Sequence, residues 1–196
     1  MKRGTIITLA VVVVLVLIVS NAISRYNKLV QMEEGVTAAW SQVENVYQRR
    51  ADLIPNLVAT VKGFAEQEQE VFIGVTEARS KVNQINMGGI TDNQELLNQF
   101  QAAQGGLSSA LSRLLVTVER YPDIKSNQNF LDLQAQLEGT ENRIAVERRR
   151  YNEAAQGYNT QVRQFPNSLY AGMFGFERKA YFQADEGAST APKVEF

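Results

Sequence analysis

Cysteine and histidine are both missing from this 196-residue chain. Without cysteine there is no disulfide, no thiol nucleophile and no thiolate ligand, and the absence fits either side of a membrane. Without histidine the commonest general base is gone, and with it the Ser-His and Cys-His pairs and the usual zinc and iron ligands. An enzyme built on this chain would have to work with carboxylates, Lys, Tyr, Ser or Thr. An excess of charge is lacking too: 20 basic residues face 21 acidic ones, a net charge of −1. That balance gives no reason to expect nucleic acid or another polyanion as a partner. Alternation at period two is absent as well, so essentially no sheet is expected.

What is present begins with a long apolar run. Residues 4–24 carry no charge, and residues 9–19 are wholly apolar. As a helix, 21 such residues span about 31 Å, close to the hydrocarbon thickness of a bilayer. A lipid bilayer is therefore the expected partner of residues 5–23, as a retained single-pass anchor. The rival reading is a cleaved signal peptide, with Ser20-Asn21-Ala22 as a loose small-x-small site. The run is long for a signal peptide and continues into a helical pattern without a turn residue. Lys2 and Arg3 flank one end and Arg25 and Lys28 the other, so the positive-inside count is nearly tied. The expected arrangement has the amino terminus in the cytoplasm and the remaining domain outside.

The rest of the chain reads as helices. Leu29, Met32, Val36, Trp40, Val43 and Tyr47 recur at spacings of three and four. At residues 49–55, Arg-Arg-Ala-Asp-Leu-Ile-Pro, a turn is expected, with Asp52 capping a new helix and Pro55 in its first turn. One long helix kinked at Pro55 is the alternative. A second helix follows on Leu57, Val61, Phe64, Val71, Val75, Ala78, Val82 and Ile85, with Glu68 in the missing seam position. Gly88-Gly89 marks a loop, and Asp92 with Glu95 reads as a capping box for a third helix that Pro122 ends. The fourth and longest pattern runs on Phe130, Leu133, Leu137, Ile144, Tyr151, Ala155, Tyr158, Val162 and Phe165. Glycines at 63, 74, 105, 106, 139 and 157 interrupt helix interiors, with close helix approach or local flexibility as their expected reason.

The expected fold is all-α: a transmembrane helix, then an up-and-down antiparallel four-helix bundle, then an irregular aromatic-rich tail. The boundaries are 1–24 for the cytoplasmic stub and anchor, 25–165 for the bundle and 166–196 for the tail. The tail holds Tyr170, Phe174, Phe176, Tyr181, Phe182 and Phe196 among its 31 residues, and ends in a polar stretch from 183 to 190 and Pro192-Lys193-Val194-Glu195-Phe196. Folding back over the bundle end is one role for it; docking onto a neighbouring subunit, a partner or the bilayer surface is the other.

Two sets of candidate residues follow. Glu68, Glu141 and Arg148 fall on seam-like positions, and a charged network there would set helix register rather than add stability. Arg49, Arg50 and Asp52, together with Tyr170, Phe174, Phe176, Tyr181 and Phe182, form a candidate partner surface. A self-satisfied turn is the plain alternative for the Arg-Arg-Ala-Asp stretch. The triplet Arg148-Arg149-Arg150 cannot form one flat patch, because neighbouring helical residues point about 100° apart. No catalytic, cofactor-binding or metal-binding residue is proposed, and no cofactor is expected.

Three blocks resemble the LemA family. The first is Ala39-Trp40-Ser41-Gln42-Val43-Glu44-Asn45 with Tyr47-Gln48-Arg49-Arg50-Ala51-Asp52-Leu53-Ile54-Pro55-Asn56-Leu57-Val58. The second covers residues 133–166 with its runs Glu138-Gly139-Thr140-Glu141-Asn142-Arg143-Ile144 and Glu147-Arg148-Arg149-Arg150-Tyr151-Asn152. The third is Ala171-Gly172-Met173-Phe174-Gly175-Phe176. The resemblance implies a short amino-terminal tail, one membrane helix and a helical bundle in the bacterial envelope, with no catalytic residue to carry over. It also implies partners among envelope or membrane proteins, a membrane protease or a TPM-domain protein among them. The expected function is a non-enzymatic, membrane-anchored scaffold of the inner membrane that self-associates, as a homo-oligomer, and docks envelope partners. A ligand-sensing or adaptor bundle that signals to a partner membrane protein is the alternative, and a hydrolase using Glu68 and Glu141 is the third possibility.

Overall fold

The computed structural model describes residues 3–65 and 67–184; Lys2 and the polar end of the tail, 185–196, lie outside the described residues. Six helices follow one another, and no strand occurs among the described residues. They are α1 (Arg3–Lys62), α2 (Gln69–Asn83), α3 (Gln94–Val118), α4 (Pro122–Lys125), α5 (Gln128–Arg163) and α6 (Asn167–Phe174). An extended strap, residues 175–184, completes the described chain.

α1 is one helix of 60 residues, about 90 Å long. The membrane-length run and the first helix of the domain are continuous, and the apolar side chains of residues 7–19 are exposed. The turn expected at 49–55 does not form. Asp52 does not cap a helix; its carboxylate accepts from Gln48 at 2.8 Å, one turn earlier. Pro55 lies exposed inside the helix, so the Ala51 carbonyl it leaves without an intrahelical donor is on the solvent side. The chain reverses later, at residues 63–68, where Gly63 ends the helix and Phe64 and Ala65 both donate to Val61 O at 3.0 Å. The predicted second helix is thus divided: Leu57 and Val61 belong to α1, and Val75 to α2.

The cap of α3 also differs by one residue. Asn93 accepts from Glu95 N at 2.9 Å and Leu96 N at 3.1 Å. Asp92 is diverted to Lys179, 2.7 Å away.

α1 and α5 run antiparallel: Arg25 meets Asn167 just past the end of α5, Trp40 meets Tyr151 and Arg50 meets Glu141. α3 runs parallel to α1, since Phe100 packs on Trp40 and Tyr47 while Gln104 and Ser108 reach Arg50. α2 packs against α3. The interior divides into two apolar clusters. One, nearer the apolar run, centres on Trp40, Phe100, Tyr151, Tyr158 and Phe182. The other centres on Leu57, Val61, Leu107, Leu114, Phe130 and Leu137.

Close helix approach accounts for few of the helical glycines. A Cβ at Gly74, Gly105, Gly106 or Gly139 would meet nothing within 4 Å; Gly157 alone among those in helix interiors faces another helix, with Met32 Cε at 3.6 Å. Gly139 is exposed in the middle of α5, so its substitution changes only backbone entropy and solvation. Gly139→Ala is expected to stabilise the folded chain by about 1 kcal/mol, read from the denaturation midpoint in detergent.

Candidate functional site

α1 presents Leu29, Val36, Val43, Arg50 and Leu57, each seven residues from the last and each no more than 2% exposed. The arginine therefore occupies a seam position and points inward. α3 has the same design: Leu97, Gln104, Leu111 and Val118 are buried, again seven apart. The two polar residues of these rows meet. Arg50 Nη2 donates to Gln104 Oε1, Nη1 donates to Ser108 Oγ at 2.9 Å, and Nη1 pairs with Glu141 of α5 at 2.5 Å. Its guanidinium also lies over the Tyr47 ring, 5.2 Å from the centroid. One side chain thus joins α1, α3 and α5, and this layer separates the two apolar clusters.

This arrangement revises both candidate sets. Arg50 is an interior residue and no part of an exposed partner surface; Arg49 and Asp52 beside it are exposed. Glu141 does sit in a polar layer, but its partner is Arg50. Arg148 is elsewhere, over the Phe182 ring at 4.8 Å and donating to Gln183 O at 3.1 Å. Glu68 is more distant still, accepting from Tyr121 OH at 2.9 Å and pairing with Arg120 at 3.1 Å. Gln104 and Val118 are separated by about 21 Å along α3, so Glu68 cannot share a network with Glu141. Arg50 was readable as a seam residue from the seven-residue spacing 29, 36, 43, 50, 57; the expectation of a turn obscured it.

The second feature is the strap, which lies between α3 and α5 and is held by side-chain amides. Asn159 and Asn152 of α5 each make a pair of bonds to one strap residue. Asn159 donates to Lys179 O and accepts from Lys179 N, both at 2.8 Å. Asn152 does the same with Phe182, both at 2.9 Å. Gln94 of α3 pairs likewise with Tyr181 at 2.8 and 3.0 Å, and Gln101 with Gln183 at 3.0 and 3.2 Å. Ala180 fills the gap: its N donates to Thr91 O at 2.7 Å, and its carbonyl accepts from Tyr151 OH at 3.0 Å. Each amide offers the donor and acceptor that a neighbouring strand would offer. Seven helical residues from Asn152 to Asn159 cover about 10.5 Å, and three extended residues from 179 to 182 cover about 10 Å, so the repeats match.

The strap carries its own anchors. Phe182 is buried, stacked on Trp40 at 5.9 Å and edge-on to Tyr151 at 5.6 Å. Lys179 pairs with Glu33 and Asp92, both at 2.7 Å. Tyr181 is half-buried, so it and Phe182 belong largely to the head's own packing. Tyr170 is half-buried in α6, and Phe174 and Phe176 lie closer to the apolar run, where they pack on the Tyr26 ring at 5.0 and 5.5 Å. The amide clamps were missed from sequence; the spacing of seven in Asn152/Asn159 and Gln94/Gln101 was the available signal.

Truncating Phe182 removes the anchor and uncovers Trp40, the only tryptophan. Phe182→Ala is expected to cost about 3 kcal/mol of stability and to shift Trp40 emission to the red, read by fluorescence of the folded protein.

The strap also has a pH dependence. Burial lowers the proton affinity of Lys179, but its hydrogen bonds to Asp92 and Glu33 and their charge more than offset this and hold its pKa above the ordinary 10.5. Burial, then the charge of Glu33, pushes Tyr158 up to about 12, and burial raises Tyr151 as well. All three keep their protons to higher pH when folded than when unfolded. Their contribution is complete below pH 10 and is lost as pH climbs from 10 towards 12. Trp40 emission should shift in that window, and Tyr158→Phe should flatten the loss. At pH 7 this variant should be neutral in stability, because the Tyr158 hydroxyl is buried without a hydrogen-bond partner among the described residues.

Comparison with known proteins places this geometry. The LemA family model matches residues 39–196, a stretch that includes the Arg50 layer and the strap. Magnetosome protein MamQ 2 of Paramagnetospirillum magneticum is 31% identical over 207 aligned positions, which cover 96% of this chain and 76% of that protein. Magnetosome protein MamQ of Magnetospirillum gryphiswaldense is 29% identical, over 97% of this chain and 77% of its own. Protein LemA of Metamycoplasma hominis is 25% identical, over 84% and 71%. These relatives and the exposed apolar helix fit a membrane-associated protein. The chain belongs to the LemA family.

Proposed function

We propose that this chain is a non-enzymatic, single-pass scaffold of the bacterial inner membrane, with its helical head on the extracytoplasmic side. The observation that carries the reading is the continuity of α1. A helix whose apolar run is exposed along residues 7–19 continues without a break into a stretch that is packed from Leu29 onward. Such a helix fixes a rigid head to a bilayer. Four long segments with opposed directions, α1, α2, α3 and α5, are read together as an up-and-down four-helix bundle. The charged groups of its interior serve the fold: Arg50 is bonded to three partners, and Lys179 to two carboxylates.

A scaffold needs a face to offer, and the α2–α3 flank supplies one. A groove of about 610 Å³ runs between these helices, with Gly74, Ala102, Ala103, Gly106 and Ala110 along it and Glu70, Glu77, Lys81 and Arg113 at its margins. Among the described residues, a Cβ at Gly74 or Gly106 would meet nothing within 4 Å, so no neighbour there requires a glycine. Small residues there suit the close approach of another helix, and the mixed margin suits a second copy standing the same way up in the bilayer, α2 of one head against α3 of the other with Glu70 facing Arg113. Envelope or membrane proteins, a membrane protease or a TPM-domain protein among them, are further candidates for docking on the same head.

Ser109 lines this groove, and the chain contains no cysteine of its own. Full-length Ser109→Cys, solubilised in detergent and treated with a short bis-maleimide, is expected to give a covalent dimer. A strictly monomeric species at high concentration would overturn self-association through this face.

A further inference from the structure

α6 is out of keeping with the rest of the surface. Its sequence, Asn-Ser-Leu-Tyr-Ala-Gly-Met-Phe, has no charge, and it follows an exposed Phe165. Phe165 is 80% exposed, Leu169 61%, Met173 74% and Phe174 46%. The first three are spaced four apart. A soluble protein seldom keeps so many large apolar side chains together in water.

The position of this patch identifies what covers it. Arg25 Nη1 donates to Asn167 Oδ1 at 3.2 Å, and Tyr26 packs edge-on to Phe174 at 5.0 Å and against Phe176 at 5.5 Å. Those contacts tie α6 to α1 within one helical turn of Ile23, the last large apolar residue of the exposed run. If residues 4–24 span the hydrocarbon, α6 lies at the height of the lipid headgroups. Tyr26 is at the level where amphipathic rings gather in membrane proteins, and Arg25, Lys28 and Arg163 lie at the height where phosphates are found. The patch thus continues the apolar surface of the span sideways onto the head.

We propose that Phe165 and α6 form a lipid-binding foot, which lies in the headgroup–acyl boundary of a phospholipid bilayer beside the exit of α1. The foot rests on the membrane-anchored reading above. It gives the head a second attachment, so that the head is held at a set orientation and does not swivel about α1.

The absence of cysteine allows a direct test with nitroxide labels on the full chain in phosphatidylcholine–phosphatidylglycerol vesicles. Leu169→Cys and Met173→Cys report on the foot, Leu15→Cys on the span, and Val116→Cys, 70% exposed near the far end of the head, on water. The measurement is collision with oxygen against collision with a nickel chelate. The expected oxygen-to-nickel ratio at 169 and 173 is several-fold above that at 116 and below that at 15. Water-like values at 169 and 173 with a lipid-like value at 15 would overturn the foot and leave the anchor standing. Low access to both probes at 169 and 173 would mean that protein covers the patch, and would also overturn it. A water-like value at 15 would sink the anchored reading itself, and the foot with it.

Discussion

The head is organised around a single buried guanidinium. Arg50 occupies a position where the pattern of α1 otherwise has Leu or Val, and its charge is tolerable only because Gln104, Ser108 and Glu141 meet it from two other helices. Shifting α1 by one heptad against α3 would set Arg50 beside Leu97 or Leu111 and leave Gln104 facing an aliphatic side chain. Each displaced polar group would then lose its partner, at a cost of about 1–3 kcal/mol and more for the charge. Apolar packing alone tolerates such slips, because one leucine layer resembles the next. The polar layer removes that degeneracy, and so it aligns the pieces on either side: aromatic-rich packing towards the apolar run, mainly aliphatic packing away from it.

Alignment matters because the strap depends on it. Four amides from α3 and α5 must each face a strap residue at the correct height, and their heights relative to one another are set by the register of the two helices. The amides bind backbone groups, so they specify an extended conformation and not a sequence. Identity enters through Phe182 and Lys179, which fill an aromatic slot and a pair of carboxylates. The polar layer and the strap are therefore one construction, although Arg50 and the strap residues share no direct bond among the contacts described above.

Much of this was legible in the residues, and the errors have physical causes. The helical character, the apolar run and most of the buried face of α5 followed from periodicity, since Leu137, Ile144, Tyr151, Ala155, Tyr158 and Val162 are all buried. Phe165 continued the same pattern yet is exposed, because α5 ends at Arg163 and the stripe ends with it. The turn expected at Pro55 does not form because Pro55 sits on the exposed side of α1, where water can meet the carbonyl that proline leaves without a donor. Asp92 was misread because a capping carboxylate and a salt-bridging one look alike in sequence. Glu68 and Arg148 were grouped with Glu141 on periodicity alone, which places residues on a face but gives no height relative to another helix. The strap was not read, since its extended conformation is held by side chains remote in the chain, Gln94 being 87 positions from Tyr181 and Glu33 146 positions from Lys179.

The continuity of α1 gains its meaning from these contacts. From Leu29 onward the helix is packed, and up to Ile23 it is exposed. Free bending of the head relative to the apolar run is therefore confined to about five residues, 24–28, roughly 7 Å of helix. Two of those five are braced from the far end of the chain, Arg25 by Asn167 and Tyr26 by Phe174 and Phe176. A helix of 60 residues would ordinarily flex along its length; here the one stretch free of the core is stiffened by α6, and the Arg50 layer, about 40 Å above Ile23, is stiffened by three helices at once. Orientation set at the apolar end is thus transmitted to the α2–α3 flank without a flexible joint. Such rigidity is what distinguishes a head that presents a face in a fixed direction from one that is merely tethered.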